Sequence, residues 1–176
     1  MIILIIALLE IALIALAAIL FIFFMVPLFF YGAPFLPSYR RQKREILEPL
    51  FDLARQAPGH KFVDLGSGDG RVVMEFARQG FESWGVEFNP ALVLWSRLII
   101  KRFRLKNAHI IKKNFWKMDL SGFDIIYIYQ LTSVNALLAD KFKKELKTGA
   151  LIISAGFFLP NFKLIKKEGI FWVYKN

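Results

Sequence analysis

Asp64, Gly66, Gly68, Gly70 and Glu87 are the residues of this chain whose types and spacing could do chemistry. The first four lie in Asp64-Leu65-Gly66-Ser67-Gly68-Asp69-Gly70-Arg71, which follows a short apolar run and precedes a helical one. Glycines at a strand-to-helix turn let the backbone bend sharply and let a ligand approach closely. A dinucleotide wants G-x-G-x-x-G, with its pyrophosphate on the helix N-terminus. Here Arg71 stands where the last glycine of that pattern is required. Asp64, two residues before the first glycine, is also the wrong charge for a pyrophosphate.

Asp64 suits a ligand with a positive ammonium group, such as the methionine end of S-adenosylmethionine (SAM). Glu87 follows Asp64 by 23 residues, at the end of the next predicted strand. A carboxylate there can accept hydrogen bonds from both hydroxyls of a ribose, a geometry that nucleoside ligands share with dinucleotides. The alternative for the whole segment is a tight turn with no ligand.

The elements that must hold these residues alternate strand and helix, as in an α/β sheet of mostly parallel strands. Apolar positions at helical spacing run over 41–57 and end at Pro58-Gly59. Strands are predicted over Lys61–Leu65, Glu82–Glu87, Ala108–Ile111, Asp124–Tyr129 and Ala150–Phe157. Helices are predicted over Arg71–Arg78, Ala91–Leu105 and Val134–Leu146. The tail, Phe162–Ile165 and Ile170–Tyr174, reads as an antiparallel hairpin. The dozen residues before Asp124 carry no convincing helix and read as a loop of the kind that lines a site.

Composition divides the chain unevenly. Of its 176 residues 56% are hydrophobic, and Glu10 is the one charged side chain before residue 36. Beyond residue 35 stand 24 bases and 13 acids, a formal charge of +11. Ile2 to Phe30 is long enough for the roughly 20 residues of a membrane span. It lacks the positive n-region of a signal peptide and is too long for one, although Ala15-Leu16-Ala17 resembles a cleavage site. It also lacks the polar face of a surface helix. Arg40, Arg41, Lys43 and Arg44 follow it, which by the positive-inside rule places the remainder in the cytoplasm. Pro27, Pro34 and Pro37 are expected to break the helix at the interface. Glu10 lies near the outer end, where it can snorkel or pair.

There are no cysteines, which excludes disulfides, thiolate metal sites and a cysteine nucleophile. His60 and His109 fit no metal-ligand spacing, and no metal is expected. The basic run Arg97, Lys101, Arg102, Arg104, Lys106, Lys112 and Lys113 fits nucleic acid, anionic lipid or a solvated face. Beside a membrane span, acidic head groups are the economical account.

The glycine turn and the acid after it resemble the first motif and the acidic position of class I SAM-dependent methyltransferases. VDLGSGDGRVV, GVEFNPALVLWSR and NFWKMDLSGFDIIYIYQL resemble the small membrane-anchored protein-lysine methyltransferases. That family includes enzymes acting on the ATP synthase c-subunit and the adenine nucleotide translocase, with prokaryotic relatives. Phe35-Leu36-Pro37-Ser38 resembles its stretch between anchor and catalytic domain, and the likeness extends to Phe162.

The resemblance implies a Rossmann-like class I methyltransferase sheet, mostly parallel with a C-terminal antiparallel hairpin. It gives an anchor over 1–31, a basic linker over 32–45 and a SAM-dependent domain over 46–176. It implies that Asp64, Gly66 and Gly68 hold the methionine portion, that Glu87 holds the ribose, that Asn114, Phe115 and Trp116 cover the adenine, and that Ser67, Phe88 and Asn89 also bind the cofactor. Many methyltransferases have Asp where Asn114 stands; the Asn oxygen can accept the same bond.

Tyr129 and Gln130, with Phe157, would then orient a lysine amine, which must lose its proton before attack (reference pKa about 10.4). An aromatic pocket favours the neutral form. No residue stands out as a general base, and Tyr127 and Phe158 read as core. The expected protein is a single-pass enzyme of the cell membrane, its domain cytoplasmic, acting on a lysine of a membrane-associated protein. A lipid or quinone methyltransferase and a non-catalytic SAM-binding membrane adaptor are the alternatives. Nucleic acid is disfavoured because no Asn-Pro-Pro-Tyr type sequence ends the fourth strand.

Overall fold

The computed structural model describes residues 2–31 and 44–176, which fall into two units. The first is one helix, α1 (Ile2–Tyr31). It passes through Pro27 and goes on to Tyr31, so Pro27 does not end it. A helical proline loses one N–H and one hydrogen bond, which bends a helix without having to stop it. Among the described residues, no helix is long and apolar enough to cross a membrane. Pro34, Pro37, the Phe35–Ser38 stretch and the bases Arg40, Arg41 and Lys43 lie outside the described residues.

The second unit is built on a seven-stranded sheet in the order β3-β2-β1-β4-β5-β7-β6. Strands β1 (Lys61–Leu65), β2 (Glu82–Glu87), β3 (Ala108–Lys112), β4 (Ile125–Ile128) and β5 (Leu151–Ala155) are parallel. Strand β7 (Phe171–Lys175) runs antiparallel between β5 and β6 (Lys163–Glu168). The helices are α2 (Arg44–Ala54), α3 (Arg71–Arg78), α4 (Pro90–Arg102) and α5 (Thr132–Glu145).

Alternation along the central strands divides the core between two faces. Phe62, Ile125 and Tyr127 pack with Leu50 and Phe51 of α2, Phe76 of α3 and Val93 of α4. Val63, Leu65, Ile126 and Ile128 face Leu138 and Phe142 of α5. Phe62 stacks on Phe76 with ring centroids 3.8 Å apart.

Several limits differ from the sequence reading. The helix expected over 41–57 is α2, and its end at Ala54 leaves Arg55–Ala57 to close a turn. Helix α4 stops at Arg102 because Arg104 adopts a left-handed φ of 54°. The loop before β4 holds a short 3-10 turn, Phe115–Lys117.

The chain proceeds from β1 outward through β2 to β3, then crosses back to β4 on the other side of β1. That reversal opens a crevice at the carboxyl ends of β1 and β4, the place where open α/β sheets bind ligands.

Candidate active site

Strand β1 delivers Asp64 to this crevice and then turns at once. Gly66, Gly68 and Gly70 have φ of 87°, 55° and 76°. A side chain at these left-handed angles is strained, so three glycines alternate here for a backbone reason. The turn is pinned over the neighbouring strand: Gly66 N and Ser67 N both donate to Val86 O, at 2.8 and 3.2 Å. Two close approaches seat it. A Cβ on Gly85 would meet Ser67 Oγ at 2.6 Å, and one on Gly70 would meet Ser96 Cβ at 2.9 Å.

Three carboxylates surround the turn, each in a different state. Asp69 is held by the Arg71 guanidinium, whose Nε lies 2.9 Å from both of its oxygens. Glu87 accepts from Gly68 N at 2.8 Å on one oxygen, and from Phe88 N (2.8 Å) and Asn89 N (2.7 Å) on the other. Burial raises the Glu87 pKa, against these three backbone donors, which lower it. With about four lone-pair sites on a carboxylate, Glu87 keeps room for a further donor such as a ribose hydroxyl.

Asp64 is 4% exposed, and among the described residues no donor is paired with its carboxylate. Burial pushes its pKa well above the ordinary range, and the charges of Glu87 and Asp69 push it the same way. A buried acid among acids, with no cation of its own, is a site for a cationic ligand. The ammonium of SAM satisfies that requirement, and Ser67 Oγ, buried without a partner, is a second polar group left over at the same turn.

The other expected residues fall around this centre. Asn89 Oδ1 caps α4 by accepting from Ala91 N at 2.9 Å. Phe88 is exposed beside it. Lys113 N donates to the Glu87 backbone carbonyl at 3.0 Å and so ties the next loop to the end of β2. In that loop Asn114 Oδ1 accepts from Trp116 N at 2.9 Å, and the Phe115 and Trp116 rings are 5.0 Å apart. The Asn114 oxygen is thus a cap first, with one lone pair remaining.

After β4, Tyr129 and Gln130 part company. Tyr129 is partly exposed, 6.2 Å from the Phe157 ring and against Gly156, where a Cβ would come within 3.2 Å of Tyr129 Cε2. Gln130 is buried, and its Nε2 donates to Leu65 O at 3.1 Å. A Cβ on Gly66 would stand 2.7 Å from the same Nε2. Gln130 therefore braces the glycine turn.

Tyr127 is core, as its position predicts, but Phe158 is 48% exposed, touching Trp172 and Tyr174 only edge-on. It follows β5, and its carbonyl accepts from Asn135 Nδ2 of α5 at 3.1 Å. Gly85 and Gly156 were not singled out by the sequence. A glycine inside a strand is the signal that could have found Gly85.

Comparison with known proteins agrees with this geometry. The family profile described as "ANTKMT methyltransferase domain" matches residues 64–166, from the buried acid to β6. The chain belongs to that family. It is 35% identical over 154 residues to the ATP synthase c-subunit lysine N-methyltransferase of Caenorhabditis elegans, covering 81% of this chain and 80% of that one. It is also 35% identical, over 138 residues, to the adenine nucleotide translocase lysine N-methyltransferase of Mus musculus. That match takes in 77% of this chain, which spans only 58% of the mouse protein. Among solved structures, an RNA methyltransferase of Salinibacter ruber with bound S-adenosyl-L-homocysteine superposes with a TM-score of 0.66. It is 27% identical and is matched over 76% of this chain and 90% of its own. The fold is the Rossmann-like class I methyltransferase fold with a mixed sheet. The chain is a SAM-dependent enzyme of a protein-lysine N-methyltransferase family, and its cofactor is SAM.

Proposed function

We propose that the enzyme methylates a lysine of a membrane-associated protein and works at a bilayer to which α1 anchors it. The observation that carries the acceptor is the likeness, over four fifths of both chains, to a lysine methyltransferase of the ATP synthase c-subunit, a membrane protein. The anchor rests on residues 2–30, which carry Glu10 as their one charge. The bases that follow it in the sequence support a cytoplasmic catalytic unit.

When bound, SAM supplies a methyl group already activated by its sulfonium charge. The rest is positioning and desolvation. Asp64 holds the ammonium end, Glu87 the ribose, and the loop at Asn114–Trp116 the adenine side. Tyr129, backed by Phe157, forms an aromatic wall that favours a neutral amine over an ammonium. With SAM held there, Tyr129 with Phe157 would orient the lysine amine, in its neutral form, towards the methyl group.

Membranes carrying the full chain, incubated with methyl-labelled SAM, test the acceptor. Label on a lysine of a membrane protein is the expected result. Label extracted into organic solvent would instead make the acceptor a lipid or quinone, and SAM binding with no label transferred would make the chain an adaptor. Alkaline carbonate extraction tests the anchor: the chain should stay with the membranes, and its release would remove α1 from the proposal.

A further inference from the structure

Helix α4 is apolar on two faces, and the fold uses one. Val93 and Ile100 are buried in the core, with Ser96 buried between them. On the opposite side Leu94, Trp95 and Leu98 are 61%, 56% and 55% exposed, at the one-, three- and four-residue spacings of a single helical face. Phe103, just past the helix, is 54% exposed and lies under the Arg78 guanidinium at 5.0 Å. A contiguous apolar face of this kind on a soluble surface marks an interaction site.

The charge around the face is of one sign. From Pro90 to Met118 there are eight Lys and Arg and no Asp or Glu. Beside α4 a groove of about 350 Å³ runs along β3, with Lys101, Arg104 and Lys106 at its rim and Ile100 and Ile110 in its floor. Arg104 occupies the left-handed position after the helix, with φ 54°, where glycine ordinarily stands. A basic residue is thus kept at a position where the backbone disfavours it.

We propose that the outward face of α4 is a second membrane contact, seated in anionic lipid head groups. The bases meet the acidic phosphates, while Leu94, Trp95, Leu98 and Phe103 reach the boundary with the acyl chains. Exposed Trp and Leu flanked by Lys and Arg are the composition of helices that lie in the plane of an interface. Nucleic acid would match the charge but leaves the leucines in water. Neither the lysine acceptor nor α1 enters this contact, so either can fail without it.

The chain has no cysteine, so Leu98→Cys carries a single nitroxide label, and Leu94→Cys repeats the measurement independently. Leu137→Cys is the control, exposed on α5 across the sheet. Retained SAM affinity shows that each labelled full-length chain is folded. In vesicles of phosphatidylcholine mixed with phosphatidylglycerol, relaxation of the label at 98 by an aqueous nickel chelate should fall severalfold while relaxation by oxygen rises. The effect should vanish in phosphatidylcholine alone, at high salt, or with Lys101→Gln, Arg102→Gln and Arg104→Gln combined. The label at 137 should stay aqueous throughout. Equal nickel access at 98 and 137 in anionic vesicles overturns the proposal. So does shielding that grows with protein concentration in detergent, which would mean a second copy, or shielding that requires added RNA.

Discussion

Gln130 reaches across the sheet to Leu65: its Nε2 donates to the Leu65 carbonyl at 3.1 Å, between residues 65 apart in sequence. The bond joins the segment after β4 to the glycine turn after β1. Gln130→Leu leaves a buried carbonyl unpaired, at a cost of about 1–3 kcal/mol. We expect SAM affinity by calorimetry to fall roughly tenfold (about 1.4 kcal/mol), with kcat at saturating SAM changed far less than KM. A loss confined to kcat would return Gln130 to the acceptor side.

Asp64→Asn should stabilise the ligand-free protein while costing it SAM. The Asp64 pKa is raised in the fold, so its burial penalty is absent below the unfolded value of 3.8. The penalty grows as pH rises from that unfolded value towards the folded one and is constant above it. Melting curves should therefore coincide for the two proteins at low pH and separate towards neutral, the variant melting about 4 °C higher for each kcal/mol relieved. SAM affinity should drop about 10–100-fold in the variant, and in the native protein should fade as acid protonates Asp64. A variant that melts lower at neutral pH contradicts an unpaired buried acid.

Gly85→Ala tests how the turn is seated. Its methyl would meet Ser67 Oγ and Ile110 Cδ1 at 2.6 Å and Ser67 Cβ at 2.8 Å. Overpacking of this sort costs about 1–3 kcal/mol. Adding Ser67→Gly removes two of the three contacts, so urea denaturation should show the pair recovering more than about 0.5 kcal/mol relative to additivity. Strict additivity would mean that Ser67 does not pack on Gly85.

Tyr129 separates ring from hydroxyl. Tyr129→Ala should lower kcat about 10–100-fold, a loss of about 1.4–2.7 kcal/mol in transition-state stabilisation, with SAM affinity unchanged. Tyr129→Phe should keep most of the rate, since the proposed role is an aromatic wall. Equal losses in the two variants would move the role to the hydroxyl.

Much of this site is local, and local patterns are legible. Strand β1, helix α3 and strand β2 have the limits that their residues predict, because glycines bound the first two and Gly80 and Asn89-Pro90 flank the third. Asp64, the alternating glycines and Glu87 stand at a spacing that suits a cationic nucleoside ligand. Periodicity also predicts α4, but that helix is apolar on two faces, and only packing decides that Val93 and Ile100 enter the core while Leu94, Trp95 and Leu98 do not.

The tertiary structure likewise decides that β7 inserts between β5 and β6, that Gly85 makes room for Ser67, and that Gln130 braces Leu65. Each depends on residues distant in the chain meeting at contact range. A pattern of neighbours cannot encode such meetings, because the free energy that selects them is gained only when the whole sheet closes. The unpaired state of Asp64 belongs with them: the acid stands plainly in the sequence, but only burial beside Glu87 and Asp69 makes it wait for a cation.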